Sequence, residues 1–210
     1  TLARHAGRAG AAWLILQPPP ERGQPQAYYC DFFARVMAAT ALPVAIQNAP
    51  EYTGIGLSDD ELVALAQRFS HFRLIKAEGS AVAVRHTIAA LPDFKVLNGR
   101  GGLELMDNLG AGCSGMIPAT DSFDYQVRIF EAFAAGRGDD AAQLYRRILP
   151  AVVFVMQSLD ALICYGKRLA ALRMGVGGDI YDRAPAMAPS AFGLECLRRY
   201  AEELGPLRMP

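Results

Sequence analysis

The sequence predicts an α/β fold built on a parallel sheet and followed by an all-helical tail. Three observations predict it. Strand-length apolar runs occupy residues 11–17, 43–48, 72–77, 94–98 and 112–118, with starts about 32, 29, 22 and 18 residues apart. Most of these gaps leave room for a helix, as repeated βα units require. After Gly136 the alternation stops and only helical periodicity continues. From these observations the sheet is either a barrel or doubly wound.

Most of the apolar runs end in a polar residue, glycine or proline, as a buried parallel strand feeding a loop should. Among the helices, residues 28–39 carry Phe32, Phe33, Val36 and Met37 as an apolar stripe. Ser58 and Glu61 form a capping box ahead of Leu62, Leu65, Ala66 and Phe69, which repeat on one helical face. Residues 103–109 read as a short helix and 123–135 as a longer one closed by Gly136. The tail reads as helices over 139–149 and 151–174, broken at Pro150, then 191–204 after a proline-containing linker at 182–189.

Composition excludes several classes of function. The chain has 210 residues, 52% of them hydrophobic, so it can bury a core and is no disordered segment. Its 21 basic and 21 acidic side chains balance, which gives no electrostatic pull toward nucleic acid or an anionic membrane. The longest apolar run, 150–156, is far short of the roughly 18 residues a membrane span needs. Cys30, Cys113, Cys164 and Cys196 are widely spaced, so they predict reduced, mostly buried thiols, no structural zinc and a cytoplasmic setting. The opening residues read as the middle of a helix, and the expectation is that part of a longer protein precedes them.

The chemistry centres on lysine, of which there are three: Lys76, Lys95 and Lys167. Lys76 stands at the carboxyl end of an apolar strand, the end where α/β folds build active sites. Apolar neighbours there disfavour an ammonium, and a neutral amine can form a Schiff base with a ketone. The other reading is a lysine that snorkels outward or pairs with Glu78. Lys95 belongs near the opposite rim, and Lys167 reads as a surface helix residue. Polar strand ends at Gln47-Asn48, Glu78-Gly79, Asn98-Gly99 and Thr120-Asp121 would line one rim and suit a hydroxylated carboxylic acid. The glycines at 99, 101 and 102 resemble a phosphate cradle weakly, and a small carboxylate on backbone amides fits as well. His5, His71 and His86 lie away from the strand ends. Trp13 reads as a core residue, and Tyr28 and Tyr29 as core or pocket lining.

At residues 43–58, followed by Ile75-Lys76, the chain resembles the dihydrodipicolinate synthase/N-acetylneuraminate lyase family. The resemblance extends over essentially the whole chain, through Asn98-Gly99 and the Gly115–Pro118 strand. It implies a (β/α)8 barrel with a C-terminal helical extension. The chain would supply strands four to eight, with residues 1–136 as barrel and 137–210 as extension, and strands one to three absent. It implies a lysine Schiff-base lyase, needing no cofactor and no metal, that acts on a small 2-keto acid. A homo-oligomer, dimer or tetramer, is also implied.

On this resemblance Lys76 is the Schiff-base lysine, and Gly99 and Ile117 line the pocket. Asn48, Thr53 and Asn98 join them as substrate contacts. Gln47 stands where the family has a tyrosine, Tyr52 where the synthase has an arginine, and Pro18-Pro19-Pro20 where an aromatic pair is usual. Glu78 and a water held by Gln47 are then the candidates for proton transfer. The Gln-x-Ala-Pro pattern with Lys-x-Glu is most similar to the 2-keto-3-deoxyarabonate dehydratase branch. The alternatives are a synthase or pyruvate-dependent aldolase using the same imine, a deaminase of a hydroxylated pyrroline carboxylate, and an inactive binding or regulatory relative.

Overall fold

A computed structural model describes residues 2–177, 180–183 and 186–208. The linker expected at 182–189 includes two residues, 184 and 185, that lie outside the described residues, as does Thr1.

The elements run in chain order. They begin with α1 (Leu2–Arg8), β1 (Leu14–Leu16), α2 (Gln26–Met37), β2 (Val44–Asn48), a single turn α3 (Pro50–Thr53) and α4 (Asp59–Arg68). Next come β3 (Phe72–Ala77), α5 (Ala81–Ala90), β4 (Lys95–Asn98), a short turn Arg100–Gly102, α6 (Leu105–Ala111) and β5 (Gly115–Met116). The remainder is helical: α7 (Phe123–Ala134), α8 (Gly138–Val155), α9 (Leu159–Ala161), a wide π-type turn Leu162–Gly166, α10 (Lys167–Met174) and α11 (Ala191–Leu204). By packing, the chain divides into residues 1–98 with 107–116, and residues 99–106 with 117–210.

The first unit holds the sheet. All five strands are parallel and lie in the order β1-β2-β3-β4-β5. Strictly sequential order with helical crossovers is the order of a (β/α) barrel; a doubly wound sheet reverses direction partway. One face of the sheet carries Val44, Ile46, Ile75 and Val96 into a core with Phe33, Leu62 and Leu65. Phe72 and Phe94 meet edge to face there, 4.9 Å between ring centres. The α4 capping box forms as expected: Ser58 N–H donates to Glu61 at 2.7 Å and Glu61 N–H to the Ser58 hydroxyl at 3.3 Å. Helix α5, unassigned in the sequence, is capped by Ser80.

Three expectations shift. Trp13 lies just before β1 and is 40% exposed, so it is no core residue. Phe69 has extended backbone and ends α4 rather than continuing it. Leu103 stays outside α6, because the neighbouring Arg100 and Glu104 adopt left-handed φ of 45° and 52°. Tyr29 is buried, its hydroxyl donating to the Glu21 carbonyl at 2.8 Å, while Tyr28 is half-buried. All four cysteines are free, and burial pushes the Cys113 thiol up to about 11.

The second unit packs α7 on α8 and α10 on α11. The expected break at Pro150 does not occur: α8 runs through it. Proline lacks the N–H that would reach the Arg146 carbonyl, yet Ile148, Ala151, Val152 and Val155 bury one continuous face, and that packing holds the helix. The break comes later, where Ser158 caps the next turn through Ala161 N–H at 3.0 Å. Lys167 is not a free surface residue: it pairs with Asp182 and donates to the Tyr181 carbonyl at 2.9 Å. Arg168 pairs with the same carboxylate, and the two hydrogen bonds hold Asp182 at about 2. No single described helix is long and apolar enough to cross a membrane.

Asp121 is 1% exposed, and neither side-chain oxygen has a hydrogen-bond partner. Burial raises its pKa from the ordinary 3.8, against the opposing charge of Arg173. The native state therefore binds this proton more tightly than the unfolded chain. Stability falls as pH rises above about 3.8 and through the raised native value. Asp121→Asn should be more stable than the parent at pH 7, on the order of 1 kcal/mol. The difference should vanish below pH 4. Urea unfolding at the two pH values checks both statements.

Candidate functional site

The carboxyl ends of β1, β2 and β3 bring four polar side chains together within the first unit. Alternation along the strands decides which. Residues at every second position pack against the helices, so Gln47 and Lys76, which are register partners, share the other face. Leu16 pairs with Ile46, so Gln17 and Gln47, the next residues, continue the row. Glu78 lies two residues beyond Lys76, and its N–H extends the ladder to the Asn48 carbonyl at 2.9 Å.

The side chains form one connected chain. Lys76 Nζ lies 3.1 Å from Glu78 Oε1, with side chains 16% and 12% exposed. Gln47 Nε2 donates to Glu78 Oε2 at 2.8 Å, and Gln17 Nε2 donates to Gln47 Oε1 at 3.2 Å. The lysine does not snorkel outward but faces Glu78. Glu78 is therefore held at both oxygens, at Oε1 by Lys76 of its own strand and at Oε2 by Gln47 of the neighbouring one. A proton released by the amine has an acceptor within direct hydrogen-bond reach. Lys95, by contrast, is exposed at the start of β4.

The other expected residues act differently. Asn48 engages both ends of its amide with Leu57: Leu57 N–H donates to Oδ1 at 2.9 Å, and Nδ2 donates to the Leu57 carbonyl at 2.9 Å. The Thr53 hydroxyl lies within hydrogen-bond reach of two carbonyls of the same loop, Ala49 (2.9 Å) and Ile55 (2.8 Å). Both residues therefore shape the 49–57 loop. Gly56 belongs to this closure: a side chain there would meet the Pro50 ring at 2.8 Å. Asn48→Ala should cost roughly 1–3 kcal/mol, because two buried loop groups lose their partner. Chemical denaturation measures that loss.

Asn98 is fully buried and donates to the Gly79 carbonyl and to Asn108 Oδ1, both at 3.2 Å. It anchors the loop that carries Glu78 rather than facing solvent. Gly99 and Ile117 belong to the second unit. In that unit the 99–102 turn is backed by its own neighbours: Gln126 Nε2 donates to the Gly101 carbonyl at 2.9 Å, and Met156 fills the space a Gly101 side chain would need. That side of the turn is not an open anion cradle. Among the described residues, no group of three or more His, Cys, Asp or Glu is placed to hold a metal ion.

Gln17 was not among the residues singled out in the sequence. Its signal was its position: it precedes Pro18, which biases its backbone to extended conformation and prolongs the line of β1.

Comparison with known proteins places the chain. A model of the dihydrodipicolinate synthetase family matches residues 1–190. The chain is 31% identical over 154 residues to an L-2-keto-3-deoxyarabonate dehydratase of Azospirillum brasilense, covering 70% of this chain and 50% of that protein. It is 29% identical over 153 residues to a 4-hydroxy-tetrahydrodipicolinate synthase of Methanopyrus kandleri, covering 71% and 51%. The chain thus spans about half the length of these curated relatives. In fold it is similar to YagE of E. coli K12, a prophage protein of the dihydrodipicolinic acid synthase family solved with pyruvate. That match has TM-score 0.85 and 24% identity, over 97% of this chain and 70% of that one. It is also similar to a dihydrodipicolinate synthase of Rhodopseudomonas palustris, at TM-score 0.83 and 20% identity over 96% and 69%. The order of the strands, the helical tail and the match over residues 1–190 agree: the chain belongs to the dihydrodipicolinate synthetase family.

Proposed function

We propose that this chain carries the Schiff-base half of a lyase acting on a 2-keto-3-deoxy sugar acid, by dehydration. The observation that supports the reading best is Lys76 at the carboxyl end of β3, half-buried and 3.1 Å from a carboxylate held in place by Gln47.

In this reading Lys76 passes its proton to Glu78 and attacks the C2 ketone. Glu78 returns that proton to the carbinolamine hydroxyl, whose loss as water forms the protonated imine, an electron sink that acidifies C3, and leaves Glu78 ionised. Glu78, now facing the imine through Oε1, removes a C3 proton, and the C–H electrons form the enamine. The enamine electrons expel the C4 hydroxyl, which leaves as water with the proton Glu78 returns. Hydrolysis of the imine regenerates the amine and releases the product. Proton transfer of this kind contributes typically ~10²–10⁴-fold. The similarity to the Azospirillum dehydratase supports dehydration. Tyr52, standing where the resemblance expects the synthase's arginine, weighs against condensation with an aldehyde acid. As part of the same reading, the protein is a cytoplasmic homo-oligomer, a dimer or tetramer.

Borohydride trapping tests it. The protein is incubated with pyruvate, and separately with 2-keto-3-deoxy sugar acids, then reduced and digested for peptide mass spectrometry. An adduct on Lys76 is expected, and with the sugar acid its mass should correspond to a species that has lost water. A mass corresponding to a cleaved fragment would assign the aldolase reading instead. An unmodified Lys76 with every keto acid would end the imine mechanism and put the binding-protein reading first.

A further inference from the structure

We propose that Gln17 is a positioning residue for the Lys76 site: by engaging the acceptor of Gln47, it directs which oxygen of Glu78 carries the proton. The inference rests on the imine reading of Lys76 and goes one residue beyond it.

The argument is one of hydrogen-bond polarity. An ionised carboxylate only accepts, and a primary amide has one donor end and one acceptor end. While Glu78 is ionised, Gln47 must turn its NH2 toward Oε2, as observed at 2.8 Å, and its Oε1 is then left pointing along the row. Gln17 Nε2 donates to that oxygen at 3.2 Å.

The decisive moment comes when Glu78 has taken a proton. A neutral carboxyl can donate as well as accept, so an unrestrained Gln47 amide could flip and draw the proton onto Oε2, away from the reaction. With its Oε1 already engaged by Gln17, Gln47 continues to donate to Oε2. The proton is then confined to Oε1, the oxygen 3.1 Å from Lys76 Nζ. A neutral amide has no readily lost proton, so this is an orienting chain and not a relay. The backbone supports it: Gln47 and Lys76 are register partners in β2 and β3, Gln17 directly follows β1, whose Leu16 pairs with Ile46, and Pro18 disfavours helical backbone at Gln17.

The experiment uses the full chain and three substitutions. Gln17→Met keeps the length and removes the donor, Gln17→Glu leaves acceptors only, and Gln17→Lys restores a donor. The rate of pyruvate trapping on Lys76 at saturating pyruvate should fall about fivefold in Gln17→Met and Gln17→Glu, the scale of one net hydrogen bond. Half-saturating pyruvate should stay unchanged, and Gln17→Lys should recover the rate to within about twofold. In parallel, the Gln47 side-chain NH2 resonances should move in Gln17→Met and not in a distant surface control. Trapping at the parental rate with the Gln47 resonances unmoved would overturn the proposal. If the parent forms no Lys76 adduct, the imine reading fails by itself. The resonances then decide alone: unmoved signals in Gln17→Met overturn the role of Gln17, and shifted signals uphold its hold on Gln47.

Discussion

Lys76→Arg is expected to abolish keto-acid trapping and to lower any turnover by at least about 10³-fold, while leaving the fold intact. A guanidinium cannot form the imine, but it keeps a positive charge facing Glu78 and satisfies the carboxylate 3.1 Å from the native amine. Lys76→Ala should lose the same chemistry and also destabilise the first unit by roughly 1–3 kcal/mol. It leaves Glu78, only 9% exposed, without its cation. The pair of variants separates chemistry from structure. Equal loss of trapping with unequal melting temperatures is the expected pattern. Glu78→Gln, unlike either, should still form the imine, but slowly, because the amine no longer has an acceptor for its proton. The measurements are borohydride trapping followed by mass spectrometry, and thermal melts of each variant. An Arg variant that still traps pyruvate elsewhere in the chain would move the chemistry to another lysine.

Arg173→Ala is expected to give the largest loss of stability in the chain, about 3–5 kcal/mol. The guanidinium is fully buried and forms a two-pronged pair with Asp124, at 2.9 Å and 2.7 Å. It also donates to the carbonyls of Asp121 at 2.7 Å and Gly205 at 2.9 Å. It thereby ties α7, α10 and the segment after α11 to one point. The planar guanidinium suits this work because its donors diverge in a fixed fork; a lysine cannot reproduce both prongs and both carbonyls. Removing it leaves Asp124, 4% exposed, as an uncompensated buried charge. Replacing both partners by apolar residues, Arg173→Met with Asp124→Leu, should recover most of the loss, because an apolar pair needs no counter-charge. Urea unfolding of the two single variants and the double variant closes the cycle. Additive losses in the double variant would show that the two side chains do not act as a pair.

The order of strands and helices was legible in the sequence because it depends on local signals. The runs at 43–48 and 72–77 became β2 and β3, the capping box started α4, and the residues at 191–204 formed α11 as expected. Caps and apolar periodicity act within one or two turns, so one chain segment contains the whole cause. Lys76 was legible for the same reason: its strand, its position in that strand and the neighbouring motif are all local.

Tertiary structure decided what local signals leave open. Pro150 predicts a break, yet α8 passes through it because its buried face outweighs one missing hydrogen bond. The hydrogen bonds of Asn48 and Thr53 to Leu57, Ala49 and Ile55 carry no signal in the sequence and come from the path of the loop. Gln17 and Gln47 are thirty positions apart in sequence, and only the parallel register of β1 and β2 makes them neighbours. The buried partner of Asp124 lies forty-nine residues away. A sequence names the side chains able to accept, donate or attack. Which of them meet depends on strand register and helix packing, which are set by burial summed over the whole core and not by any one segment.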